Sequence, residues 1–175
     1  MDLTRTLVIG NSGSGKSWLA ERIAIRLGAP WVDLDMIHWE PGGYDMARNR
    51  EDAMALVRKA AATDTWVIEG IYGWLVSEVK ASATALVWLC IDEAECTANI
   101  RHRGLRRGGG QESFNALLDW AETYRTRNGT SSYSAHNDIF ETFSGPKICL
   151  HSQSDVTAFV NVPACCSPKL NGGAR

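Results

Sequence analysis

Residues 10–17 read Gly-Asn-Ser-Gly-Ser-Gly-Lys-Ser, an ungapped match to G-x-x-x-x-G-K-[ST]. These residue types suit one task, holding a polyphosphate. Gly10, Gly13 and Gly15 let the backbone wrap closely, so the N–H groups of Asn11, Ser12, Ser14 and their neighbours can converge on one anion. A helix starting near Gly15 adds the positive end of its dipole. Lys16 supplies a point charge for the β- and γ-phosphates, and Ser17 a hydroxyl for Mg²⁺. The flanks agree with this chemistry. Leu7-Val8-Ile9 reads as a buried strand and Trp18 to Leu27 as a helix. The competing reading is a Gly/Ser-rich turn ahead of an ordinary helix.

A phosphate loop needs a carboxylate to hold Mg²⁺, directly or through water, and three candidates end predicted strands. Asp33 and Asp35 stand two apart in Asp-Leu-Asp, a spacing that puts both side chains on one face of an extended segment. Glu69 ends Trp-Val-Ile-Glu-Gly. Asp92-Glu93 follows the apolar run Val87 to Ile91 and looks like the hydrophobic-run-plus-acid signature of motor-type and recombinase-type ATPases. Asp92 would serve equally as the cap of the helix behind it.

Arginines gather farther on. Arg101, Arg103, Arg106 and Arg107 precede Gly108-Gly109-Gly110, and Arg125 and Arg127 follow. Phosphoryl transfer spreads negative charge over equatorial oxygens, which the planar guanidinium fork can bind two at a time. A glycine hinge beside such a cluster would make a closing lid over about residues 101–127. The bland reading is a solvated basic face. His38, Trp39, Tyr44 and Trp74 could wall an acceptor pocket, whereas Trp66 and Trp88 belong to the core. His136 reads as a structural loop histidine.

These residues need a scaffold, and the periodicity predicts one. Strands are expected at Trp31–Leu34, Trp66–Ile68, Ala85–Ile91 and Pro146–Leu150 besides the first. Helices are expected at Glu51–Ala62, Ala94–Arg103, Ser113–Arg127 and Asp155–Val160. The alternation implies a parallel sheet covered on both faces, with the phosphate loop at its carboxyl edge. The 175 residues allow one domain of substantial core. With 45% apolar and 22% charged residues the chain has a globular composition. No apolar run approaches the roughly 20 residues of a membrane span. The first strand begins too near Met1 to leave room for a signal peptide, and the cysteine usage makes a reduced cytoplasm the simplest compartment. A net charge of -2 argues against a bulk electrostatic grip on nucleic acid. Five cysteines without a C-x-x-C pair suggest neither a disulfide framework nor a zinc site.

Taken together, the phosphate loop, Leu19-Ala20, Leu27-Gly28-Ala29-Pro30, Leu34-Asp35 with Trp39, Pro41 and Gly42, and Trp66-Val67-Ile68-Glu69-Gly70 with Tyr72 resemble the adenylate-kinase-like P-loop proteins. Within them they most resemble the DNA topology modulation proteins, over roughly residues 4–110. The resemblance implies the fold of the nucleoside and small-molecule kinases, a three-layer α/β P-loop NTPase with a five-stranded parallel sheet and a mobile lid. It also implies that the strand-three acid, usually Asp and here Glu69, helps hold Mg²⁺. The Asp-x-Asp resembles that of shikimate kinase, which implies that Asp33 lies near Mg²⁺ and that Asp35 contacts the acceptor. Phosphate contacts carry over to Arg101 and Arg106. The expectation is a kinase-like domain over 1–160 with a flexible tail over 161–175, using ATP, Mg²⁺ and a small-molecule acceptor. A regulatory or switch-type ATPase and a nucleotide binder without turnover stay open beside it.

Overall fold

The strand residues are apolar on both faces, which only a sheet covered on both sides can use. The computed structural model describes residues 1–44, 46–104 and 110–161. Five strands, β1 (Arg5–Gly10), β2 (Trp31–Asp33), β3 (Trp66–Gly70), β4 (Ala85–Leu89) and β5 (Lys147–Leu150), form one all-parallel sheet in the order β2-β3-β1-β4-β5. Around them run α1 (Lys16–Leu27), α2 (Leu34–His38), α3 (Arg50–Ala60), α4 (Gly73–Val79), α5 (Glu93–Arg103), α6 (Gln111–Glu122), α7 (Tyr133–Thr142) and α8 (Gln153–Asn161).

Alternate strand residues feed two separate cores, as the pleat requires. Leu7, Ile9, Ile68 and Trp88 pack against Val57 of α3, Leu75 of α4 and Ile139 of α7. Val8, Val67, Val87 and Leu89 pack against Leu19 and Ile23 of α1 and Val156 of α8. The result is the expected three-layer α/β architecture. Its central strand is β1, so the phosphate loop leaves the middle of the sheet with β3 on one side and β4 on the other. Trp66 and Trp88 are core residues, as expected.

Three helices were not predicted, and each has a physical reason. α2 and α4 span only five and seven residues, too short to show a period. α7 buries His136 beside Ile139, so its inward stripe is partly polar. The helix expected over Ser113–Arg127 ends instead at Glu122. There the Thr123 hydroxyl turns back to the Asp119 carbonyl at 2.9 Å and Arg127 Nε donates to the Ser131 carbonyl at 3.0 Å. Strand two is also shorter than expected. Asp33 closes it and caps α2, its carboxylate accepting from the Asp35 N–H at 2.8 Å. Asp33 and Asp35 therefore do not share a face of one extended segment, because the chain turns into a helix between them. Arg106, Arg107, Gly108, Gly109 and the tail beyond Asn161 lie outside the described residues. Among the described residues, no helix is long and apolar enough to cross a membrane.

Gly70 explains how α2 can sit so close to β3. A Cβ there would stand 2.6 Å from Leu34 Cβ. Gly70→Ala should therefore destabilise the fold by about 1–3 kcal/mol, the usual range for overpacking. A urea titration would show a lowered midpoint at unchanged slope. An unchanged midpoint would mean that α2 is free to shift away from the sheet.

Candidate active site

The phosphate loop is shaped by positive-φ glycines and by bonds from outside it. Gly13 has φ +80°, and a Cβ there would run into the Cys96 carbonyl of α5. The loop's carbonyls are held by side chains of other elements. Asn99 Nδ2 of α5 donates to the Gly13 carbonyl at 3.0 Å, and Gln153 Nε2 of α8 to the Ser14 carbonyl at 3.1 Å. Asn11 is fully buried. Its Nδ2 donates to the Ala121 carbonyl of α6 at 2.7 Å, and its Oδ1 accepts from the Ser12 N–H at 2.8 Å. Lys16 Nζ folds back to donate to the Asn11 carbonyl at 2.8 Å. Asn99 and Gln153 gave no sequence signal, because a polar amide on a helix is ordinary until its partner is seen.

Glu69 sits at the carboxyl end of β3 and is 2% exposed. Its Oε1 accepts a hydrogen bond from Ser17 Oγ at 2.6 Å. Asp33 is its register partner on β2. Burial pushes the Glu69 carboxyl up to about 7; Lys16 and the Ser17 hydroxyl oppose the rise, while Asp33 and Asp35 add to it. A hydroxyl, a buried carboxylate and a second carboxylate beside a phosphate cradle are the hard-oxygen donor set that suits Mg²⁺. The residues present thus fit the ion, and Ser17, Glu69 and Asp33 are those that would hold it.

Lys16, Ser17, Glu69, Asp33 and Asp35 all face one cavity of about 850 Å³. Its far wall is aromatic: Trp39, Tyr44 and Tyr72 line it. Trp39 Nε1 donates to the Tyr72 hydroxyl at 2.8 Å, and that hydroxyl in turn bonds the Asp35 carboxylate. His38 stacks on the Tyr72 ring at 4.1 Å. Trp74, the other expected acceptor residue, is not in the cavity wall and packs under the Arg50 guanidinium. Tyr72 was not singled out for a role, although its place two residues after Gly70 at the end of β3 is a usable signal.

The arginines divide sharply. Arg101 does not line the cavity, and its guanidinium meets Glu122 of α6 at 3.4 Å. Arg103 does line it. Two residues turn an α-helix by about 200°, so only one of the pair can point inward. Arg125 pairs with Glu93. Arg127 stacks over the Trp120 ring at 3.7 Å and bonds the Ser131 carbonyl. Neither Asp92 nor Glu93 reaches the cavity. Asp92 caps α5, accepting from the Ala94 N–H at 2.8 Å. His136 is fully buried between the Tyr124 hydroxyl (2.6 Å to Nδ1) and the Ile71 carbonyl (2.9 Å to Nε2). Burial holds its pKa down to about 3, so the ring is neutral with its proton on Nε2. The role is structural.

No protein-family model matches the chain, and no curated protein does. Solved structures do share its fold. A gluconokinase from Sinorhizobium meliloti superposes with a TM-score of 0.56 at 19% identity, covering 91% of this chain and 89% of that one. A shikimate kinase from Bacteroides thetaiotaomicron gives a TM-score of 0.53 at 16% identity over 90% of this chain and 94% of its own. At such identities the likeness is one of fold, an α/β sandwich around a parallel sheet.

The Glu69 environment sets a pH dependence. A carboxyl whose pKa rises from 4.5 to about 7 on folding leaves the native state with more bound protons than the unfolded one between those values. Stability of the ligand-free protein should fall as pH rises through that window and level off above it, by up to about 3 kcal/mol. Glu69→Gln should remove this component. Denaturant titrations from pH 4.5 to 8 would test it; equal slopes for wild type and variant would mean that Glu69 is solvated.

Proposed function

We propose that the chain is a small-molecule kinase that transfers the γ-phosphoryl group of ATP to a small acceptor. One observation carries this reading: the phosphate loop, the Ser17–Glu69 pair and the Asp33–Asp35 turn open into a single cavity large enough for a nucleotide and a second molecule. The shared fold of the P-loop kinases supports it.

The loop amides and Lys16 would bind the β- and γ-phosphates, with Lys16 exchanging its bond to the Asn11 carbonyl for phosphate oxygens. Ser17 and Glu69, with Asp33 nearby, would hold Mg²⁺. When bound, the ion bridges phosphate oxygens and offsets their charge. Asp35 would orient an acceptor hydroxyl and take its proton, held in place by the Trp39–Tyr72 hydrogen-bond chain. Were the acceptor itself a phosphate, Asp35 would serve in binding alone. Trp39, Tyr44 and Tyr72 offer flat apolar surface to the acceptor. Arg103 is the described arginine placed to meet transferring charge, while Arg106, expected to share that role, lies outside the described residues. The resemblance to the DNA topology modulation proteins is compatible with this reading, which involves no DNA contact. Asp92 and Glu93 are engaged in a cap and an ion pair, which leaves an ATPase built on them without its acids.

An ATP-consumption screen against nucleoside monophosphates, nucleosides and small hydroxylated metabolites tests the proposal. Turnover should rise with an acceptor. Acceptor-independent turnover would favour the ATPase, and none at all a binder. Lys16→Ala should keep the fold and lower turnover by roughly two to three decades. Asp92→Asn should instead lose only cap stability, about 0.5–2 kcal/mol, with near-normal activity.

A further inference from the structure

A second cluster of reactive side chains lies at the carboxyl ends of β4 and β5, on the opposite side of the phosphate loop from the carboxylates. Cys90 follows β4, Cys149 lies within β5, and His151 follows β5. Spacing along the chain gave no reason to group them, since one comes from each of two separated segments and the third lies two residues on. The sheet unites them. The Cys90 N–H donates to the Leu150 carbonyl at 2.8 Å, fixing the two strand ends side by side. The sulfurs of Cys90 and Cys149 and a ring nitrogen of His151 all lie within 4.8 Å of one another. We propose that Cys90, Cys149 and His151 form a binding site for Zn²⁺, with a water molecule as the fourth ligand.

The donor set decides the class of ion. Two thiolates and an imidazole select a soft or borderline metal and reject Mg²⁺, which the oxygen set at Glu69 suits. With Zn–S of about 2.3 Å and Zn–N of about 2.0–2.1 Å, a tetrahedral ion spaces its ligand atoms about 3.5–3.8 Å apart. Closure from the present spacing asks for about one ångström of movement. His151 is exposed and Cys149 half-buried, so both can move, while buried Cys90 is the fixed point. Binding would release to solvent whatever protons the two thiols carry and leave two thiolates balancing the ion's two charges, so no net charge is buried at Cys90. The outer shell is already in place. Arg125 Nη2 lies 3.7 Å from the Cys90 sulfur, and Tyr133 donates a hydrogen bond to it. Such partners orient the ligands and favour the thiolate.

The experiment uses the full chain, reduced and stripped of metal, titrated with Co²⁺ and then Zn²⁺. One equivalent of Co²⁺ should produce a thiolate-to-metal charge-transfer band that one equivalent of Zn²⁺ removes, and Zn²⁺ should raise the melting temperature. Cys149→Ser should abolish the band. His151→Ala, a change at an exposed side chain that leaves folding intact, should weaken binding by at least about tenfold, the least expected when a ligand and not merely its support is lost. A Cys165→Ser/Cys166→Ser double variant should bind as wild type does. The proposal is overturned if wild type shows no band, if binding survives Cys149→Ser, or if it disappears in the double variant.

Discussion

A loop whose backbone amides are to serve an anion has few of them left to hold itself together. Everything around the phosphate loop follows from that constraint. Its carbonyls are held by Asn99 and Gln153, its Asn11 side chain is sunk into α6, and its Gly13 lies against the α5 backbone too closely for any Cβ. Three helices distant in sequence thus brace eight residues through side-chain amides and bare backbone, while inside the loop the Ser12 and Ser14 N–H groups meet the Asn11 side chain and carbonyl. Parallel pairing makes this possible, since it brings the carboxyl ends of β1, β3, β4 and β5 to the same edge.

The sheet order then separates two chemistries. On the β3–β2 side, buried Glu69 lies among the half-buried Asp33 and Asp35, and desolvation drives its carboxyl toward the protonated form. On the β4–β5 side the polar groups are sulfur, imidazole and a guanidinium paired with Glu93. The two sets stand on opposite flanks of β1, so a hard and a soft ion would not compete for the same ligands.

The sheet and the phosphate loop were legible because their signals are local: continuous apolar runs, a glycine pattern, an acid at a strand end. Glu69 belonged to that class. The turn at Asp33 was not, because an Asp-x-Asp reads the same on a strand as across a strand-to-helix junction, and only the Leu34–Gly70 contact decides it. Nor was the choice between Arg101 and Arg103, which depends on how α5 is rotated against α6. The bracing amides and the Cys90–Cys149–His151 cluster were invisible for a related reason. Their partners lie between 2 and 139 residues away, and the relation exists only once strands are paired.

The fastening of α6 has a mechanical consequence. Its C-terminal end is held three times over: Asn11 bonds the Ala121 carbonyl, Arg101 meets Glu122, and Arg127 covers the Trp120 ring. Its N-terminal end starts at Gly110 with no side-chain cap. Twelve helical residues make a rod about 18 Å long, so α6 is a lever with its fulcrum at the phosphate loop. A tilt of about 10° carries the tip near Gln111 by about 3 Å while Ala121 stays in place. Ser113, Phe114 and Ala116, which line the cavity from the outer half of this rod, would travel with the tip, whereas the loop's own geometry would be untouched.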